Sequence, residues 1–149
     1  VYVRAATVVL IIVHTLSGML DIWKTVLPTS VTWLVWDNAS ITAAQRIQEA
    51  TTPGETVVTA PTHNSTVVLA GRPRYLGYPG HVWSHGSTPW EREQSIAALY
   101  SGQLRQLPDG NPQYILVGPQ ERTQFGASLT VSDDWKLVLE AGKYQLYRL

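Results

Sequence analysis

Between Thr59 and Glu93 the chain gathers His63, Asn64, Arg72, Arg74, Tyr75, Tyr78, His81, Trp83, His85, Trp90, Glu91, Arg92 and Glu93 around Gly71, Gly77, Gly80 and Gly86. Three chemistries are open to such a set. His81 and His85, four residues apart, have with Glu91 or Glu93 the donor types that suit a divalent metal. Gly80 and Gly86 speak against the helix that would align them, and the plainer reading is imidazoles hydrogen-bonded to loop backbone. Arg72, Arg74 and Arg92 offer guanidinium forks that match phosphate oxygens two at a time. Alternatively, Arg72 and Arg92 pair with Glu91, Glu93 or Glu121 and hold the loop in place. Tyr75, Tyr78, Trp83 and Trp90 present rings on which the apolar face of a sugar stacks, or which staple the loop to a sheet or dip into lipid headgroups. Glu121 and Arg122, following Gly118-Pro119, either join this site or form a surface salt bridge.

Other classes fall away. The chain has no cysteine, which removes disulfides, thiolate zinc sites and a cysteine nucleophile. Ser84 and His85 stand in no nucleophile elbow, and no phosphate-cradling glycine loop occurs. Eleven Lys and Arg balance eleven Asp and Glu, so the excess positive field that nucleic acid requires is missing and no nucleic-acid partner is expected. Asn38-Ala39-Ser40 and Asn64-Ser65-Thr66 match the glycosylation acceptor pattern, which is too short to carry weight. The candidate substrate-binding set is therefore His63, Asn64, Arg72, Tyr78, His81, Trp83, His85, Glu91 and Arg92, with no catalytic residue, metal or cofactor assigned.

Elements on either side must position this stretch. Ala5 to Leu20 is apolar except for His14, Ser17 and two threonines. Extended to Trp23 it reaches the ~20 residues that span a bilayer core, with Trp23 and Lys24 at the water boundary. A signal peptide should instead end at a small-residue cleavage site, and a buried core helix or strand is the other reading. Leu27-Pro28 ends the element. Six Trp and seven Tyr against one Phe favour rings that keep a polar tip near water, as at a membrane interface or a sugar-facing surface. The apolar run at 31–36 lies along the membrane or begins a core.

At 149 residues one folded unit is expected. Asp37, Asn38 and Ser40 are capping residues for a short amphipathic helix with Ile41, Ala44, Ile47 and Gln48 on one stripe, closed by Thr52-Pro53-Gly54. Residues 56–61 form a β-branched run that reads as a strand buried on both faces, and a second such run covers 65–71. Residues 71–89 are too rich in Gly and Pro for regular structure and read as a long ordered loop. Ser87 or Thr88 caps the next helix, with Pro89 just inside it, Glu91 and Glu93 in its first turn, Ile96, Leu99 and Tyr100 inward and Gly102 at its end. Asp109-Gly110 is a turn, residues 113–119 are a buried strand, and the tail alternates about Ala141-Gly142 as a hairpin. The order predicts an α/β fold: a small mixed sheet with flanking helices and a C-terminal β-hairpin, preceded by one N-terminal transmembrane helix. Residues 1–27 are expected to be the last span of a longer protein, since the chain opens at Val1 without Met, and residues 28–149 an extracytoplasmic α/β domain.

The stretch TAPTHNSTVVLAGRPRYLGYPGHVWSHGSTPWERE, with YILVGPQER and a hairpin ending in YQLYRL, resembles the C-terminal extracytoplasmic region of prokaryotic multi-span membrane glycosyltransferases of the GT-C type. LSGMLDIWK is similar to the end of their last membrane helix. The likeness covers most of the chain, and GRPRYLGYPGHVWSHG is its most specific part. It implies a cell-membrane location, polyprenyl-phosphate sugar and membrane lipid as partners alongside the remainder of the parent protein, and an accessory role. The catalytic carboxylate of such enzymes lies in the first extracytoplasmic loop, outside this chain. The alternative is a non-catalytic interaction or scaffold domain of a membrane protein.

Overall fold

A computed structural model of the protein describes residues 2–26, 34–109 and 111–149. The chain divides into two units, Val1–Leu34 and Val35–Leu149. The first holds helix α1 (Tyr2–Val26), whose described side chains, Tyr2 to Lys24, are all exposed. Over Tyr2–Lys24 it is long and apolar enough to cross a membrane. Its polar side chains fold back on their own turn: Thr7 Oγ1 donates to the Val3 carbonyl at 2.9 Å, Thr15 Oγ1 to that of Ile11 at 2.8 Å, and His14 Nδ1 lies 2.8 Å from that of Leu10. Back-bonding of this kind satisfies the Thr7 and Thr15 hydroxyls without water. The expected stop at Leu27-Pro28 and the first half of the run at 31–36 lie outside the described residues, as does Gly110 of the expected turn.

The second unit opens with α2 (Asn38–Ala50), capped by Asp37, whose carboxylate accepts from the Ser40 amide at 2.7 Å. Its buried stripe is Ser40, Ala43, Ala44 and Ile47. Ile41 and Gln48, placed on that stripe from sequence, are exposed. The alanines admit close approach of residues 66–70, and the Ser40 hydroxyl is 2.9 Å from the Tyr144 hydroxyl, so a polar residue sits inward where an apolar one was expected.

Strand β1 is Val57–Val58, fully buried. The second β-branched run is not a strand: residues 66–69 form the short helix α3 (Thr66–Leu69), which buries Val67 and Ala70 against Ala43, Ala44 and Ile47. Packing against α2 overrides the local strand preference. The Gly/Pro stretch likewise contains α4 (Pro79–Ser84), with Pro79 in its first turn and Gly86, at φ +80°, just past its end. Proline's fixed φ suits a first turn and glycine the left-handed exit, so the residues read as breakers are the start and stop of a helix. Helix α5 (Trp90–Tyr100) has Pro89 at its cap position, and neither Ser87 nor Thr88 caps it. Ile96, Leu99 and Tyr100 are buried as expected, and the helix exits near Gly102 at φ +72°.

Strand β2 (Tyr114–Val117) is buried throughout and leads into α6 (Pro119–Phe125). The hairpin is β3 (Lys136–Ala141) and β4 (Tyr144–Arg148). The sheet order is β1-β2-β4-β3, with β1 parallel to β2 and the other pairs antiparallel. Alternation along the strands splits the core in two. Val57, Tyr114, Leu116, Tyr144 and Leu146 face α2 and α3. Val58, Ile115, Val117 and Tyr147 face α5, with Tyr75, Leu76 and Trp135. The outer edge of β1 is covered by residues 73–75: the Val57 amide donates to the Pro73 carbonyl at 3.0 Å and the Tyr75 amide to that of Val57 at 3.1 Å.

Candidate functional site

The two parallel strands end together, and ligands of α/β sheets collect beyond such carboxyl ends. Here one corner of that edge is closed by Glu121. Its Oε1 accepts from the Ala60 amide and its Oε2 from the Gly118 amide, both at 2.9 Å, so one carboxylate ties the end of β1 to the end of β2. A side chain on Gly118 would meet the Tyr144 ring at 2.6 Å, so the position must be glycine. Burial pushes the Glu121 carboxyl above its usual range against the pull of the two amides. Burial and the nearby Glu121 charge raise the Tyr100 phenol, whose hydroxyl donates to the Leu116 carbonyl at 2.6 Å. The surface salt bridge expected at Glu121 and Arg122 is thus corrected: Glu121 is buried, and Arg122 reaches the Gln145 side-chain oxygen at 3.0 Å.

Beside this corner, His63, Tyr78 and His81 meet. The His63 and Tyr78 rings stack with centroids 3.6 Å apart, and the His81 ring stands edge-on, 5.0 Å from His63 and 5.4 Å from Tyr78. Tyr78 curls back over Gly80, where a Cβ would lie 2.5 Å from the ring. Thr62 and Gln120 link the two strand ends at 3.0 Å, and Gln120 also donates to the Asn64 carbonyl at 2.8 Å.

Next to the ring cluster, α4, α5 and residues 108–109 enclose a cleft of about 780 Å³ lined by Arg74, Tyr75, Val82, Ser87, Arg92 and Asp109 among others. Arg92 grips Asp109 through Nε at 2.8 Å and Nη2 at 2.6 Å, and its guanidinium lies over the Tyr75 ring. The Tyr75 hydroxyl donates to the other Asp109 oxygen. Burial, then the bond and charge of Asp109, push Tyr75 up to about 12. The bonds from Tyr75 and Arg92 hold Asp109 below its ordinary value.

Of the nine expected residues, the fold brings His63, Asn64, Tyr78 and His81 to one strand-end face and Glu91 and Arg92 to the adjoining cleft. Trp83 and His85 are exposed on and just after α4. Arg72 stands apart. Its Nε and Nη groups donate to the Thr51 hydroxyl and to the carbonyls of Gln48, Thr51, Ala70 and Gly71, so it closes the C-terminus of α2 and is committed to backbone. Arg92 is paired, but with Asp109 and not with the glutamates expected. Among the described residues no three His, Asp or Glu side chains converge as metal ligands, His81, His85 and Glu91 included. Of the four rings considered for sugar stacking, Tyr75 is buried and staples the loop, whereas Trp83 and Trp90 remain exposed.

Sequence marks Asp109 only as a turn residue and gives no sign of the linkage of Thr62 to Gln120. Nothing local marks either, because each acquires its partner from a segment distant in sequence. No model of a known protein family matches the chain, and neither a curated protein nor a solved structure matches it.

Proposed function

We propose that this chain is the membrane-attached accessory region of a glycosyltransferase-like membrane protein that uses lipid-linked sugar, with α1 as its membrane span and the α/β unit on the extracytoplasmic side. The observation that carries the reading is the full exposure of α1's described side chains, with its threonines bonded to their own helix, while the rest of the chain has its own two-faced core. An apolar surface of that length is stable in hydrocarbon and costly in water. The strand-end face and cleft then serve as the holding surface for a sugar-phosphate headgroup: Tyr78 and the exposed tryptophans offer ring faces, and the cleft offers cationic and hydroxyl groups.

In cells, the protein is expected to stay in the membrane fraction after carbonate washing, and its α/β unit to be digested by protease added from the extracytoplasmic side. Release by carbonate, or protection from that protease, would remove the reading. In the parent protein, the double change His63→Ala and His81→Ala should lower sugar transfer several-fold, without altering membrane insertion.

The exposed Val68, Leu69, Trp83 and Trp90 favour a second reading, a non-catalytic interaction or scaffold domain of a membrane protein. Unchanged sugar transfer in the double variant, together with loss of a co-purifying membrane subunit on Trp83→Ala, would select it.

A further inference from the structure

Of the three arginines in this stretch, Arg74 and Arg92 line the cleft and Arg72 stands apart from it, and hydrogen bonding separates all three. Arg72 spends its donors on α2 carbonyls, and Arg92 spends its on Asp109 and the Tyr75 carbonyl. Arg74 donates only from Nη1, to the Thr62 carbonyl at 2.7 Å, and its other N–H groups have no partner among the described residues. It is partly buried and lines the cleft. Glu121 does not serve as its partner, since both carboxylate oxygens are taken by the amides of Ala60 and Gly118. This half-buried guanidinium keeps most of its donors unspent at the cleft, and a fork of such donors matches two oxygens of a phosphate.

We propose that the cleft is an oxyanion site in which Arg74 makes the principal contact, its ligand class being a phosphate mono- or diester. The remainder of the lining suits that ligand. The Ser87 and Thr88 hydroxyls line the cleft and have no hydrogen-bond partner among the described residues. The Asp109 charge is already paired with Arg92 and hydrogen-bonded by Tyr75, which leaves exposed Glu91 as the acidic group at the rim. Arg74 is fixed from behind, because its neighbours Pro73 and Tyr75 are bonded to β1. The site deepens the lipid-linked sugar reading by naming its phosphate contact, yet the contact itself depends on nothing in α1.

The test uses the full chain in dodecyl maltoside micelles, titrated separately with inorganic phosphate and with farnesyl phosphate. The signals followed are the NMR resonances of Arg74 Nε–H and of the Ser87 and Thr88 amides. Saturable shifts are expected with at least one probe. Arg74→Gln should weaken binding about tenfold or more and Arg74→Lys by less, because a lysine keeps the charge but not the fork. Arg72→Ala should bind as the parent does. Should Arg74→Gln fail to fold, the shift of Arg74 Nε–H in the unaltered chain decides the matter. No saturable shift with either probe, or undiminished affinity in folded Arg74→Gln, overturns the proposal. A response to farnesyl phosphate alone assigns the site to a lipid ester. A response to inorganic phosphate alone upholds the oxyanion site and removes the lipid-linked sugar reading.

Discussion

The corner at Glu121 and the cleft at Arg74 lie at the same end of the sheet and feel each other's charge, yet they are finished differently. Glu121 is 1% exposed and both of its oxygens are matched to amides, so that a titratable group has become a structural clasp. Arg74, whose guanidinium is weakened by burial and pulled back up by Glu121, keeps unmatched donors on a solvent-filled space. Residue type does not separate the two cases. What separates them is whether the fold brings enough backbone groups to saturate the side chain.

Substitutions on each side should behave accordingly. Glu121→Leu leaves the amides of Ala60 and Gly118 buried without acceptors and is expected to cost about 2–6 kcal/mol of unfolding free energy in urea. A loss below about 1 kcal/mol would mean that the corner relaxes and is no clasp. Arg72→Ala, which frees the carbonyls at the end of α2, should cost about 1–3 kcal/mol in the same measurement while leaving the cleft's phosphate titration unmoved. Tyr75→Phe removes one bond to Asp109 and should cost roughly 0.5–1.5 kcal/mol. It should also raise the Asp109 titration midpoint seen by carboxyl carbon NMR, since that bond is the chief cause of its depression.

The pH dependence sharpens the contrast, because the two acids are shifted oppositely. Asp109 is held below its ordinary 3.8, so its contribution to stability is present above that value and fades as pH falls through the folded value. Glu121 is raised above its ordinary 4.5, so the folded state binds the extra proton and stability declines as pH rises from 4.5 through the folded value. Asp109→Asn should flatten the acid limb of a plot of Tm against pH and leave the decline above 4.5 in place. The smallest effect is expected from Trp83→Ala: with the ring exposed, unfolding free energy should change by no more than ~0.5 kcal/mol.

Much of this architecture is legible along the chain. The apolar helix, β2, α5's inner face and the C-terminal hairpin each announce themselves by length or period, and the mixed sheet follows from their order. The errors share one cause. Residues 65–71 look like a strand because Val67 and Val68 are β-branched, but the alanines of α2 offer a helix-sized seat. Pro79 and Gly86 look like breakers because each is one in isolation, although at opposite ends of six residues they bracket a helix. At the candidate site, clustering marks the stretch that the fold gathers beside the sheet edge, and the partners of individual residues within it are not legible from sequence. Arg72 and Arg74 are two positions apart with the same chemistry, and only the distant Gln48, Thr51 and Thr62 decide which is spent.

The strand-like pairing of residues 73–75 with the outer edge of β1 bears on how occupancy of the cleft would be felt elsewhere. Because the Val57 and Tyr75 amides are shared between the sheet and the segment that carries Arg74, anything that immobilises Arg74 also suppresses opening of that edge. Hydrogen–deuterium exchange at Val57, on a fully buried residue of the central sheet, would therefore slow when the cleft is filled, and the rim of the molecule would report to its middle without a change of shape.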